Sequence, residues 1–432
     1  MERPGGARMK VAVIGAGWAG LAAAVEATRG GHEVAVFETA RTPGGRARAV
    51  PAQLPDGRAV MLDNGQHILI GAYTETLRLM RTVGVAPETA LLRLPLTLRF
   101  PDGAGLALPR LPVPLDVLAG VARARWPLGE RLGLLRAALG WKLAHFECAP
   151  SLSVAQLCQA LGPQVMRELI EPLCVSALNT PAERASAQVF LRVLRDALFS
   201  VAGGSHLLLP RRDLSALFPA AASGWLQQQG AEVRSGQRIM QVRARGSRWE
   251  VDGQPFDAVL LATSSGEAAR LVRDLAACQP QATPLVDWVV QAESLHFEAI
   301  TTLYAWAPDA RLPAPLLALR HDERQPAQFV FDRGQLDGTA GLLAFVVSAS
   351  HGDRNTLQAQ VLAQARSQLG LTLQPVQTVV EKRATFACTP GLRRPPPVIA
   401  PGLLACGDYV DGPYPATLEG AVRCAVAAVR TL

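Results

Sequence analysis

The chain has 432 residues, 49% of them hydrophobic and only 5% aromatic, with a formal net charge of +7. Such a composition is globular, with enough apolar material for two lobes with substantial cores. The positive balance suits anionic surfaces, but the aromatic residues do not interleave with the arginines as a base-stacking surface requires, so nucleic acid is not the expected partner. Seven cysteines are scattered without a CxxC pair, which points away from a metal site or a disulfide framework and towards a reducing cytoplasm. The opening MERPGGARMK is too short and polar for a secretory signal. No uninterrupted run approaches the roughly 18 apolar residues of a spanning helix. The expected place is therefore the cytoplasm, with the inner face of the cytoplasmic membrane as the alternative.

Residues 11–38 read VAVIGAGWAGLAAAVEATRGGHEVAVFE, which predicts a strand, a turn, an alanine-rich helix and a second strand ending in an acid. In this GxGxxG turn Gly15 allows the tight bend, Gly17 lets a pyrophosphate approach the backbone, and Gly20 brings helix close to strand. Trp18 and Ala19 open the helix, whose free amides and positive dipole end favour an anion. Glu38 is in register to accept hydrogen bonds from a ribose diol. Pro43, Gly44, Gly45 and Arg46 form a second tight loop, from which the arginine is placed to meet phosphates. A domain for NAD has no need of that loop, whereas a long dinucleotide such as FAD does. Next, Asp63, Asn64, Gly65, Gln66 and His67 make a polar knot between apolar flanks. His67 is either a hydrogen-bonded structural histidine or a catalytic one, since a lone histidine carries no partner information.

From about residue 85 to 200 the texture changes to clustered prolines and leucine-rich helices, a second lobe. Residues 117–146 mix leucine, alanine and tryptophan with Arg123, Arg125, Arg131, Arg136 and Lys142. That pattern suits either a helix lying in a bilayer interface or a core-facing helix with solvated arginines. Further on, Glu171, Pro172, Leu173, Cys174 and Asn179 mark a proline-interrupted helix that lines a pocket. Asp213, after Arg211 and Arg212, reads as a helix cap. Short strands follow, then a buried one at 258–262, and strands such as AITTLYAW and GLLAFVVSAS complete the second lobe. Near the C-terminus a buried strand ends in Cys406, Gly407 and Asp408, and a helix begins near Ala416. Asp408 is placed to meet the ribityl chain or pyrophosphate; Thr417 serves as cap or cofactor contact. Pro415 leaves free amides in the next turn, aimed at a reduced flavin. Cys406 reads as a small buried strand residue, so the FAD is expected to be non-covalent.

Together VAVIGAGWAGLAAA, PGGRARA, LDNGQHILIGAY and GDYVDGPYPATLEGAV resemble the flavin amine oxidase and phytoene desaturase superfamily. Within it the chain is similar to the bacterial squalene-associated enzymes, the hydroxysqualene dehydroxylases of hopanoid biosynthesis. The resemblance implies an α/β architecture, with a Rossmann-type FAD-binding domain (9–75, 203–270 and 385–432) and a second, α+β substrate domain (76–202 and 271–384). It implies a branched apolar residue over the adenine at Ile239, and Gly65 and Gln66 beside the cofactor with Gly45, Gly407 and Ala416. The reaction implied is reductive removal of an allylic hydroxyl from a long terpenoid, with NADPH or an electron carrier as external reductant. Squalene-pathway enzymes acting upstream are the protein partners that this reading allows. His67, Asp411 and Tyr414 are the candidate proton donors to the leaving hydroxyl. Two other outcomes suit the same fold: an oxidative desaturase or amine oxidase, and a prenyl-lipid escort protein without redox chemistry.

Overall fold

The computed structural model describes residues 8–200, 202–278 and 283–432. The polar opening at 1–7, and positions 201 and 279–282 of the expected substrate domain, lie outside the described residues.

Residues from three distant parts of the chain form one six-stranded sheet. Its order is Glu232–Ser235, Glu33–Glu38, Lys10–Ile14, Ala258–Leu261, Leu403–Ala405 and Val398–Ala400. All neighbours are parallel except the last pair. Parallel strands are covered on both faces and so read as continuous apolar runs; Val11, Val13, Val36 and Leu260 are accordingly fully buried. The first helix, α1 (Trp18–Arg29), has Ala22, Ala23 and Ala24 at zero exposure, and these small side chains let it pack closely against the terminal helix Leu418–Val429. A second, antiparallel sheet runs Leu316–Ala318, Phe329–Asp332, Leu342–Val347, Phe297–Trp306, Gln374–Phe386. Its last strand carries the chain across the expected boundary at 384/385. A small sheet of Leu69–Ile70, Leu207–Pro210 and Leu91–Leu94 stitches the two regions together.

Several local expectations appear in the helices. Asp213 caps its helix by accepting from the Ala216 amide at 2.9 Å. The helix expected near Ala416 starts at Leu418. At Pro172 the helix is not broken: it opens the Glu171–Leu178 segment and follows a π-helical turn over Met166–Ile170. A proline has no N–H to give the preceding turn, and a widened turn accommodates that loss. Asn179, in the left-handed region at φ 45°, ends the helix and ties it to Thr385 and to the Ala349 amide.

The antiparallel sheet meets the Asp63–Gln66 segment at a buried ion cluster. Asp63, at zero exposure, accepts from the Leu214 amide at 2.8 Å and pairs with Arg333 at 3.0 Å. Arg333 is 2% exposed and also bonds Gln66 Oε1 at 3.0 Å and Asp337 Oδ2 at 2.7 Å. The Tyr304 hydroxyl donates to the Asp63 carbonyl. Removing one member of such a cluster leaves uncompensated charge, a change that costs about 3–5 kcal/mol. Burial pushes the Asp63 carboxyl up to about 6 against the pull of Arg333, and without Arg333 it rises further. A raised folded-state value gives stability below the unfolded value that is lost as pH climbs through the folded one. Thermal melts of Arg333→Met should therefore fall further below the parent at about pH 8 than at about pH 5. An equal loss at both would remove Asp63 ionisation from the account.

Candidate cofactor and active site

The glycine turn sits at the carboxyl ends of the central parallel strands, where open α/β sheets bind ligands. Gly15 has φ +105°, and a Cβ there would lie 2.5 Å from the Ala262 carbonyl oxygen; its amide donates to Phe37 O at 2.7 Å. At Gly20 a Cβ would lie 1.8 Å from the Gly15 oxygen, so only glycine allows this helix-to-turn approach. Gly17 differs. Its nearest neighbour to a built Cβ is the Cα of Gly45 at 3.9 Å, and the space above the helix N-terminus is left open by the protein itself. The second loop closes against it, since Gly44 pairs with Gly17 and donates to Ala16 O at 2.8 Å.

Glu38 ends its strand in register with the turn. One carboxylate oxygen accepts from the Ala16 amide at 2.6 Å and the other from Ala40 at 2.8 Å, which fixes the acid beside the turn with lone pairs to spare. Trp18 turns its side chain into the core, with Nε1 on the Ala47 carbonyl and its ring 5.2 Å from that of Phe218, so only its backbone, like that of Ala19, faces the turn. Ile239 is 3% exposed, and its carbonyl accepts from Arg270.

Arg46 joins the two ends of the chain. It pairs with Asp408 at 2.6 Å and donates to Ala384 O at 2.7 Å, and the Asp408 charge raises its pKa. The Asp408 carbonyl in turn accepts from Ala416, a non-glycine residue at φ +57°. Backbone held in this region costs about 1–3 kcal/mol and clusters at ligand sites. Thr417 is a cap: its Oγ1 accepts from the Gly420 amide at 2.9 Å. Cys406 lies next to this turn at zero exposure, and burial raises its thiol pKa.

The polar knot is joined to Arg46 through Asn64, which donates to the Arg46 carbonyl at 3.2 Å and to Glu381 at 3.0 Å. Gly65, at φ +150°, is buried, and its carbonyl lies 2.7 Å from His67 Nδ1. Burial first, and the Arg46 charge as well, lower the His67 pKa from its usual 6.5. Near neutral pH the imidazole is then neutral, with Nδ1–H on the carbonyl and Nε2 free to accept. Gln66 turns its oxygen to Arg333 and leaves Nε2 buried without a partner.

The other two candidate proton donors lie elsewhere. Tyr414 and Asp411 line a cavity of about 400 Å³ beside the terminal helix, together with Asp408, Arg394 and Arg423, and His67 is not part of that wall. Asp411 is exposed and paired with Arg394 at 3.3 Å. Burial raises the Tyr414 pKa, and a hydrogen bond to Asp196 raises it further. Sequence reading singled out Asn64 as part of the polar knot but missed Arg333 and Asp196, neither of which lies inside a motif.

The two glycines separate fold from ligand. Gly20→Ala should lower the melting temperature of the protein without cofactor, because its methyl meets backbone at 1.8 Å. Gly17→Ala has room, and helix-cap alanine costs only about 1 kcal/mol or less relative to glycine, so its defect should appear in flavin content alone. A colourless but normally melting Gly17→Ala supports the clamp, and a fully yellow one refutes it.

A hydroxysqualene dehydroxylase from Rhodopseudomonas palustris is 30% identical over 96% of each chain. One from Zymomonas mobilis is 27% identical over 95% of this chain and 96% of that one. The structure of an oxidoreductase from Methanosarcina mazei superposes with a TM-score of 0.73 at 15% identity, covering 98% of this chain and 100% of that one, a likeness of fold. The model of the flavin containing amine oxidoreductases matches residues 18–432. The chain belongs to this flavin-containing amine oxidoreductase family and is an FAD-dependent oxidoreductase.

Proposed function

We propose that the protein removes the hydroxyl of hydroxysqualene reductively to give squalene, a step of hopanoid biosynthesis. The observation that carries this reading is similarity along almost the whole of both chains to proteins named for that activity. The residues present fit FAD. Gly17 and Gly45 leave an open cradle that a side chain would narrow, Glu38 stands in register beside it, and Gln66 Nε2 is a buried donor without a partner. Bound and reduced, FAD supplies the hydride that replaces the hydroxyl on carbon, with NADPH or an electron carrier as the external donor.

The chain's own task is then to hold the cofactor, exclude water and protonate the departing hydroxyl so that it leaves as water. His67 adjoins the Gly65 loop, and its imidazolium form exists only below its lowered pKa. If His67 Nε2 delivers the proton, turnover rises as pH falls through a value below 6.5. Tyr414 keeps its phenolic proton to higher pH than a free tyrosine does. Asp411 is the weakest of the three, since it is mostly in solvent and ion-paired.

The direct test is incubation of the flavin-loaded protein with hydroxysqualene and a reductant, followed by mass analysis of the lipid. Loss of one oxygen with formation of squalene is expected. Bleaching of the oxidised flavin by phytoene or an amine without reductant would assign the oxidative reaction instead, and a colourless protein that binds prenyl chains the escort role. For His67→Gln we expect unchanged flavin content and loss of the low-pH rise in rate. A surviving rise returns His67 to a structural role.

A further inference from the structure

The helical lobe keeps its leucines on the wrong side for a protein in water. Eight of the thirteen large apolar side chains exposed among the described residues fall between positions 111 and 143. In the Leu128–Leu143 helix, Leu128, Leu132, Leu139 and Leu143 are 69%, 57%, 58% and 72% exposed. At 3.6 residues per turn these four positions lie within about 60° of one another, so they form a single outward stripe. The Leu115–Arg123 helix before it exposes Leu115 and Leu118.

This exposure does not come from loose packing. The opposite side of the helix buries Leu134 at 7%, and the connection between the helices buries Trp126 at 2%, with Nε1 on Glu168 at 2.8 Å. Arg131 ties the second helix to the end of the first through the Trp126 and Ala122 carbonyls. Both helices are therefore anchored inwards and apolar outwards.

Charge names the occupant. Between residues 110 and 145 the two acids are withdrawn: Asp116 is buried, and Glu130 accepts from the Gln164 and Val165 amides. The exposed charged residues of the stretch, Arg110, Arg123, Arg125, Arg136 and Lys142, are all basic. Leucines rimmed by cations match a bilayer interface, with side chains among the acyl ends and cations at lipid phosphates. A second copy fits less well, because a two-fold contact sets each basic rim against its own image. No helix among the described residues is long and apolar enough to cross a membrane, so the contact is in-plane.

We propose that the outer face of these two helices docks the protein on an anionic phospholipid surface. The proposal goes beyond the reaction and does not depend on it, since its test contains no substrate. The full-length, flavin-loaded protein is sedimented with vesicles of phosphatidylcholine alone and of phosphatidylcholine with phosphatidylglycerol. It should pellet with the anionic vesicles, less so with neutral ones, and less as salt is raised. The double substitution Leu132→Glu and Leu139→Glu should weaken that binding about ten-fold or more with melting temperature and flavin content unchanged. The milder pair Leu132→Ser and Leu139→Ser covers the case in which the acids disturb folding. Unchanged pelleting of a folded variant, or parent protein left in the supernatant with both vesicles, overturns the proposal. So does light scattering that finds a parent dimer made monomeric by the variant without any vesicle binding, which would assign the face to self-association.

Discussion

A guanidinium buried between two carboxylates is the constraint on which the rest of this molecule depends. Arg333 directly follows a strand of the antiparallel sheet, while Asp63 precedes the loop that holds Gly65 and His67 and Gln66 lies within it. Moving such charges out of water is expensive, and the cost is offset only when every partner is in place. The cluster therefore fixes where the second sheet stands relative to the polar loop. That placement in turn decides which atoms of the loop are left over: Gln66 spends its oxygen on Arg333 and keeps an unused buried donor.

What could be read from sequence was what lies close along the chain. The GxGxxG turn declared itself because strand, glycines and helix are contiguous, and the contacts at Gly15 and Gly20 follow from backbone geometry alone. Glu38 was legible for the same reason, its partner Ala16 lying 22 residues away in the same βαβ unit. Arg333 was not, because its bond to Gln66 spans 267 residues and the FDRG context carries no periodicity or motif. Residue identity also says little about the direction of a side chain. Trp18 belongs to the turn by position yet points at Phe218, and Thr417, open between cap and contact, is seen capping.

Electrostatics divides the polar residues of the site into two kinds. Arg46 and Asp408 satisfy each other and act as a clasp between distant loops. His67 is held near a cation and away from water, so its proton is easily lost, whereas burial and Asp196 make the Tyr414 proton hard to lose. The fold is common to proteins of very different chemistry, and it is in such local environments that the choice of reaction resides.

The central sheet is woven from strands near both ends of the chain and from its middle, and this has a consequence for biosynthesis. A ribosome makes the glycine turn first and the Asp408 loop, with the helix that follows it, almost last. The Lys10–Ile14 strand must wait for its neighbour at Ala258–Leu261, and Arg46 waits for Asp408. The Ala258–Leu261 strand likewise stays without its neighbour Leu403–Ala405 until the chain is nearly complete, so one apolar edge of the parallel sheet is uncovered through most of synthesis, and the clasp between Arg46 and Asp408 closes only on the finished chain.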